Sequence, residues 1–174
     1  MYIGHVGVAL AAKRARRSIG LLVLLIATYT PDWIDTGLCV AGQYNPDGML
    51  SHSIPAVLLF AMLGFVVYAA ATRDWIGALI IASVIVSHFL LDLVTGYKPT
   101  WPGGRMIGLR LYDRPVIDFL AEGIVICIGA VLYSRTLPPR ERPLADLALM
   151  AGSLLVLQMS IDVAHLLMAT LPKC

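Results

Sequence analysis

The sequence predicts an all-α fold, a polytopic bundle of membrane-spanning helices, because its composition is strongly apolar and its apolar residues form long blocks. Of its 174 residues, 59% are hydrophobic and 14% are charged, against roughly 45–50% and about 25% in soluble domains. A helix needs about 20 apolar residues to cross a bilayer, and several blocks reach that length. We expect one integral membrane domain over the whole chain.

About five membrane-spanning helices and one shorter helix are expected along the chain. Residues 2–12 are apolar but too few to cross a bilayer, so they predict a half-helix against the bundle. The spans are expected at residues 19–41, 54–72, 75–95, 116–134 and 144–170. The first span should break or kink near Pro31, since proline removes a backbone donor. Turn-forming residues fill 42–53, and a polar loop fills 96–115.

Basic residues are divided unevenly between the loops on the two sides of this bundle. One side carries Lys13, Arg14, Arg16, Arg17, Arg73, Arg135, Arg140 and Arg142, and the other carries Lys98, Arg105, Arg110, Arg114 and Lys173. Lysine and arginine favour the cytoplasmic side of a membrane. We therefore expect the amino-terminal basic cluster in the cytoplasm and the 96–115 loop outside.

Ionisable residues within the apolar blocks are the main functional signal, because each one is costly in a membrane. They are His5, Asp32, Asp35, His52, His88, Asp92, Asp118, Glu122, Asp162 and His165. At about 1.5 Å of rise per residue, nearly all fall at one depth, beneath loops 42–53 and 96–115. Asp146 is the exception, near the opposite face. The convergence predicts one polar site near the outer end of the bundle.

Two pairs of residues at helical spacing indicate metal chemistry. His88 and Asp92 are four residues apart and share a helix face, so they could ligate one metal or join two helices as a hydrogen-bonded pair. Asp32 and Asp35 are three apart, and like charges this close need a cation or a proton. A helix cap is the alternative for either aspartate. Imidazole and carboxylate ligands suit Zn²⁺, Mn²⁺ or Fe²⁺.

The remaining candidates each allow a functional and a structural interpretation. His5 and His52 are metal ligands or simple buried histidines, and we expect Asp162 and His165 to be structural. Glu122 lies near the outer end of its span and is a candidate general base for a metal-activated water. It could instead pair with an arginine of the preceding loop.

Two further assignments concern proton transfer and substrate. Asp35 is a second candidate base. Arg105, Arg110 and Arg114 lie in the loop above the expected site, and arginine suits bidentate phosphate recognition. The same arginines could bind lipid headgroups without specificity. Nothing in the sequence has the pattern of a nucleic-acid-binding protein.

Four short motifs follow one another in the first part of the chain. They are Gly4-His5, Pro31-Asp32-x-x-Asp35, Ser51-His52-Ser53 and His88-x-x-x-Asp92-x-x-Thr95. This series, over residues 1 to about 125 of a multi-span chain, resembles the YdjM-like family of membrane-bound metal-dependent hydrolases. These are small inner-membrane proteins of bacteria and archaea, and they look distantly similar to the zinc-dependent phospholipase C and P1 nuclease group.

The resemblance implies a divalent metal, most simply Zn²⁺, held by His5, Asp32, His52, His88 and Asp92. It also implies hydrolysis of a phosphoester or lipid-like ester at the membrane interface. The chain departs from the family pattern in two places, which could mean fewer metals or lost activity. Two residues, not one, separate the aspartates after proline, and the stretch from Asp47 to Met49 replaces a His-Arg-Gly.

Two other functions are compatible with the sequence. A transporter or proton relay would also place histidine and aspartate within the membrane, but its polar residues should continue to the opposite face. A non-catalytic membrane protein could use the metal only as a structural clamp. It would differ from an enzyme in having no open coordination position.

Overall fold

The computed structural model describes residues 3–43, 45, 48–141 and 144–167. Arg142, Lys173 and the side chain of His165 lie outside that description. The described residues form an all-α protein with a single small hairpin. Its helices are α1 (Gly4–Ala15), α2 (Leu21–Thr28), α3 (Thr30–Val40), α4 (Met49–His52), α5 (Ile54–Thr72), α6 (Trp75–Thr95), α7 (Pro115–Ser134) and α8 (Leu144–Leu167).

Within the described ranges, four helices are long and apolar enough to cross a membrane, namely α5, α6, α7 and the segment Leu144–Ala164 of α8. Their outer faces carry exposed large hydrophobic side chains, such as Leu58, Val67, Leu120 and Val156. The hydrocarbon core of a bilayer contains no water, so apolar side chains on an outer face can contact lipid without a cost in free energy. The predicted polytopic all-α fold is confirmed.

The segment expected as the first span is divided into two helices. Helix α2 ends at Thr28, and α3 begins at Thr30 with Pro31 buried in its first turn. Proline is tolerated in the first turn of a helix, where its missing N–H has no intrahelical role. The break was therefore predicted correctly, and Pro31 starts the second helix.

The short helix α1 lies at the centre of the bundle and packs against α2, α6 and α7. Its approach to α7 is so close that two glycines are required. A Cβ added at Gly7 would lie 2.5 Å from the carbonyl oxygen of Val125, and one at Gly129 would meet the carbonyl of Gly7. Small residues permit such backbone contact between membrane helices.

The buried interior changes character along the bundle. Towards the basic end, α1, α2, α5 and α6 bury an apolar core, whose members include Ala9, Leu24, Ala61, Ile81, Val84 and Ile85. Beyond this core, towards the opposite end, the buried residues become polar. Thr28, Ser51, His52, His88 and Asp92 all lie there and are at most 3% exposed. The fold thus separates an apolar half from a polar half.

A two-stranded hairpin covers the polar end. Strand β1 (Lys98–Pro99) pairs antiparallel with β2 (Met106–Ile107). Backbone hydrogen bonds fix it to the helices below, since Leu109 N–H donates to Leu93 O at 2.8 Å and Ile54 N–H donates to Thr100 O at 3.3 Å. The expected polar loop therefore has a defined position over the ends of α5 and α6.

Candidate metal centre

The structure brings together five of the predicted ligands, from four helices. They are His5 on α1, Asp32 on α3, His52 on α4, and His88 and Asp92 on α6. Two overlapping groups have ligand atoms within 4.8 Å of one another, His5–His88–Asp92 and Asp32–His52–His88. The histidines and Asp92 are buried, whereas the Asp32 side chain is 42% exposed. Asp32 therefore lies at the open edge of the cluster.

Four of these residues are joined by short contacts between one donor atom of each. The Nε2 atom of His52 lies 3.2 Å from both Nε2 of His88 and Oδ1 of Asp32. The Nε2 atom of His88 lies 3.5 Å from Oδ1 of Asp32 and 3.5 Å from Oδ2 of Asp92. His52 Nε2 is also 3.5 Å from Oδ2 of Asp92.

Each of these five separations is close to the distance between neighbouring ligand atoms of a zinc ion. Zinc binds imidazole nitrogen and carboxylate oxygen at roughly 2.0–2.1 Å, so neighbouring ligand atoms in a tetrahedron are about 3.3–3.4 Å apart. The five measured distances span 3.2–3.5 Å. His52 and His88, together with either Asp32 or Asp92, therefore have the spacing of ligands to one divalent metal.

The orientation of His88 is set by a backbone carbonyl. Its Nδ1 lies 2.7 Å from the carbonyl oxygen of Thr28, and a carbonyl can only accept a hydrogen bond. Nδ1 must therefore carry a proton, and in the neutral ring this leaves a lone pair on Nε2, the atom facing the cluster. A ligand histidine is commonly fixed in this way by the partner of its other nitrogen.

His52 is oriented by a polar chain outside the cluster. Its Nδ1 lies 2.7 Å from Ser51 Oγ, and Ser51 Oγ donates to Oδ1 of Asp35 at 3.2 Å. Asn45 Nδ2 donates to Ser51 Oγ at 3.0 Å and also bonds Asp35. A Ser51 hydroxyl that gives its one proton to Asp35 accepts the Nδ1 proton of His52, which leaves Nε2 facing the cluster. Burial lowers the pKa of His52, which favours the neutral, ligating form.

His5 borders the cluster from the side of α1. Its ring packs against that of His88, with centroids 3.9 Å apart and an interplanar angle of 40°. Its Nε2 lies 3.6 Å from Oδ1 of Asp92 and 3.4 Å from the carbonyl oxygen of His88. Its Nδ1 is buried and has no hydrogen-bond partner among the described residues. His5 can thus orient Asp92 or serve as an additional ligand.

Comparison with known proteins agrees with these motifs. The family model described as YdjM inner membrane protein matches residues 1–164. The chain belongs to the YdjM inner membrane protein family. It is accordingly a multi-pass protein of the inner membrane. No curated protein and no solved structure matches the chain. The family match is longer than the resemblance seen in the motifs, because it also includes most of α8.

In this YdjM-family chain, Asp35 and Glu122 lie outside the two ligand groups. Asp35 binds Ser51 and Asn45, as described above. Glu122, on α7, accepts a hydrogen bond from the backbone N–H of Gly4 at 3.0 Å. Gly4 begins α1, so the carboxylate satisfies one of the N–H groups that a helix leaves unpaired at its start.

Helix α8 contributes a second polar contact to the start of α1. Gln158, which is fully buried, accepts from the backbone N–H of Ile3 at 2.9 Å and donates to Oδ1 of Asp162 at 2.7 Å. Nearby on α7, the buried Oδ1 of Asp118 has no hydrogen-bond partner in the described part of the chain. Gln158 was not among the predicted site residues, because an uncharged amide in an apolar helix gives a weaker signal than an ionisable group.

The three loop arginines of the YdjM-family chain do not belong to the ligand groups. Arg110 pairs with Asp113 at 3.1 Å and lies over the ring of Tyr97. Arg105 and Arg114 are exposed. The basic side chain that contacts the cluster, among the described residues, is Lys98, whose Nζ lies 3.0 Å from Oδ2 of Asp92. Its position in a polar loop gave no sign of this contact.

Proposed function

We propose that the protein is a membrane-embedded, metal-dependent hydrolase whose metal is held by His52, His88, Asp32 and Asp92. The observation that carries the proposal is the convergence of two imidazole lone pairs and two carboxylate oxygens at 3.2–3.5 Å. Lone pairs and negative charges at such distances repel each other unless a cation lies between them or a proton is shared. Residues from three separate helices supply the set.

The chain's own residues prepare the site for this chemistry. Thr28 and Ser51 each contact Nδ1 of one histidine, so both rings turn Nε2 towards the cluster. Asp32 leaves one side of the cluster accessible, since 42% of its side chain is exposed. A divalent metal bound there would act as a Lewis acid and would lower the pKa of a bound water towards about 7.

The substrate that we propose is a phosphoester or a lipid-like ester near the membrane interface. Its support is the position of the cluster at one end of the bundle, below the hairpin, and the resemblance of the motifs to metal-dependent hydrolases. Asp35 and Glu122 remain the candidate proton acceptors. Of the two, Asp35 has the more direct hydrogen-bonded connection to a proposed ligand, because Ser51 links it to His52.

A non-catalytic metal clamp is the second candidate, and one observation favours it. Four protein donors would complete a four-coordinate structural zinc site, whereas a catalytic site keeps a position open. A proton relay across the membrane has less support. The apolar core that includes Leu24, Ile81 and Val84 lies between the cluster and the basic end of the bundle.

Elemental analysis of the detergent-purified protein tests the metal. We expect about one divalent ion per chain, bound by the wild type and lost in His52→Ala and His88→Ala. Asp113→Ala is the control, because Asp113 is an exposed carboxylate of the covering loop that pairs with Arg110. A wild-type protein that takes up no Zn²⁺, Mn²⁺ or Fe²⁺ after reconstitution would refute the proposal.

Cobalt substitution separates the enzyme from the clamp. The absorption spectrum of bound Co²⁺ reports its coordination number, and an open position lets added anions change that spectrum. We expect a spectrum that responds to inorganic phosphate. A tetrahedral spectrum that no anion alters, together with no hydrolysis of phosphoester or lipid substrates, would establish the clamp instead.

The orientation that we propose places the cluster on the outer side of the inner membrane, because Lys13, Arg14 and their neighbours lie at the opposite end. An Arg105→Cys variant, in a background without native cysteines, should react in intact cells with a thiol reagent that cannot cross the membrane. Labelling only after lysis would reverse the orientation.

A further inference from the structure

Lys98 is held in a fixed position at the mouth of the cluster. It begins β1, which the hairpin pairing and the hydrogen bond from Ile54 N–H to Thr100 O fasten over α5. Its Nζ lies 3.0 Å from Oδ2 of Asp92, and its side chain is 21% exposed. The same Asp92 oxygen lies 3.5 Å from the Nε2 atoms of His52 and His88. The ammonium group and the proposed metal position therefore share one carboxylate oxygen.

The charges of this arrangement favour an anion. With neutral histidines, the two carboxylates of Asp32 and Asp92 balance one divalent cation. Lys98 then leaves one positive charge in excess, at a position that is partly open to the outside. An ammonium group has three N–H donors. The contact with Asp92 uses one donor, so two others remain for a ligand.

We propose that Lys98 and the metal position form one subsite for a tetrahedral oxyanion, the phosphate group of the substrate. This inference rests on the proposed function, because it requires the metal. It assigns phosphate recognition to a lysine of the hairpin that contacts the ligand set. The exposed loop arginines have no such contact among the described residues.

Phosphate binding to the zinc-loaded protein tests the subsite without measuring turnover. Zinc content would be measured first, and inorganic phosphate would then be titrated calorimetrically into the wild type, Lys98→Met, Lys98→Arg and Arg105→Met. We expect Lys98→Met to keep its zinc and to bind phosphate about 10-fold more weakly or worse, as loss of a charge-assisted hydrogen bond implies. Lys98→Arg should retain most of the affinity. Arg105→Met, which removes an exposed charge from the same hairpin, should be unchanged.

The outcomes separate the two proposals. Zinc binding with a phosphate affinity that Lys98→Met does not change would overturn the subsite alone and make Lys98 a counter-ion of Asp92. Absence of zinc from the wild type would overturn the proposed function and the subsite with it. A gain in zinc affinity in Lys98→Met, without any effect on phosphate, would likewise show that the ammonium only competes with the metal.

The phosphate group could belong to a lipid headgroup or to a soluble compound. Repeating the titration in nanodiscs of phosphatidylcholine, with or without phosphatidic acid, distinguishes these sources. If the phosphatidic acid headgroup reaches the subsite, the apparent affinity for inorganic phosphate falls in the wild type and changes little in Lys98→Met. An affinity that phosphatidic acid does not alter indicates a subsite that takes its phosphate from water.

Discussion

The Nδ1 atom of His88 lies 2.7 Å from the carbonyl oxygen of Thr28. Thr28 is the last residue of α2, and the last carbonyls of a helix have no partner within it. The break between α2 and α3 therefore frees the acceptor that fixes His88. One local feature of the sequence, a proline in the middle of an apolar block, thus helps to determine which nitrogen of a distant histidine faces the cluster.

Removal of the Ser51 hydroxyl should weaken metal binding. Ser51→Ala breaks the connection between His52 and Asp35, so the His52 ring loses its preferred tautomer and orientation. Changes to groups that orient a metal ligand typically cost about 10–100-fold in affinity. We expect a loss in that range, measured by competition with a chromophoric zinc chelator.

Ser53→Ala is the matched control, because the buried Ser53 hydroxyl has no hydrogen-bond partner in the described residues. It should leave zinc affinity within experimental error of the wild type. Ser51→Thr should restore most of the affinity, since threonine also carries a hydroxyl on Cβ. Equal affinities for Ser51→Ala and the wild type would mean that the chain from Asp35 to His52 does not support the metal site.

A methyl group at Gly48 should disturb His52 directly. Gly48 has φ +69°, and a Cβ there would lie 3.0 Å from Nδ1 of His52. Gly42 has nearly the same backbone conformation, with φ +68°, but a Cβ there would meet nothing within 4 Å. Left-handed backbone costs a non-glycine residue about 1–2 kcal/mol, so the two alanine variants should lose similar stability.

Only Gly48→Ala should also lose zinc affinity, by roughly 10-fold, because only it displaces a proposed ligand. Thermal unfolding in detergent would measure the shared loss of stability, and chelator competition would measure the metal. Equal zinc affinities in Gly48→Ala and Gly42→Ala would argue that His52 does not bind the metal.

Glu122 can be tested as a helix cap and as a general base with two substitutions. Glu122→Gln keeps an acceptor oxygen for the N–H of Gly4, whereas Glu122→Ala removes it. A buried donor left without a partner costs about 1–3 kcal/mol. We therefore expect Glu122→Ala to lower the unfolding temperature and Glu122→Gln to change it little.

Hydrolytic activity tests the second role of Glu122, that of a general base. If Glu122 only holds α1 in place, Glu122→Gln should retain zinc and most of the turnover on whichever substrate is identified. A Glu122→Gln protein that is stable and zinc-loaded but inactive would instead establish Glu122 as the proton acceptor.

Acid should destabilise the basic end of the bundle through Asp74. Its Oδ1 accepts the backbone N–H of Gly77 at the start of α6, and its Oδ2 accepts Nε of Arg16. The Gly77 hydrogen bond, followed by Arg16, lowers the pKa of Asp74 below its ordinary value of 3.8. Since the folded pKa is the lower one, this carboxylate stabilises the fold above about pH 4. The contribution is lost as the pH falls through the folded pKa.

Unfolding temperatures between pH 5 and pH 2.5 would measure this effect. Asp74→Asn should lack the part of the acid-induced loss that Asp74 causes, while its amide oxygen still caps α6. Arg16→Met should keep most of that loss, because the Gly77 hydrogen bond is the larger cause. Identical pH profiles for the wild type and Asp74→Asn would contradict the assignment.

The fold class and the candidate ligands follow from local features of the amino-acid sequence. Apolar blocks of sufficient length define membrane helices because the bilayer penalises unpaired backbone groups, and that signal is local. A bilayer also penalises ionisable side chains, which makes His88 and Asp92 functional candidates inside an apolar helix. Their spacing of four residues places them on one face whatever the neighbouring helices do. Pro31 likewise predicts the helix break, since its effect on the backbone is local.

Which groups meet, and what each one does there, depends on how the helices and the hairpin pack together. Asp32 and Asp35 lie three residues apart on α3, and nothing in the sequence distinguishes their roles. In the structure Asp32 faces the imidazoles, whereas Asp35 binds Ser51 of α4. Three other contacts join residues that are distant in sequence or use the backbone. Lys98 contacts Asp92, six positions away, Gln158 accepts from Ile3, 155 positions away, and His88 contacts the backbone carbonyl of Thr28. No local pattern encodes such contacts, since they depend on how whole helices and the hairpin pack.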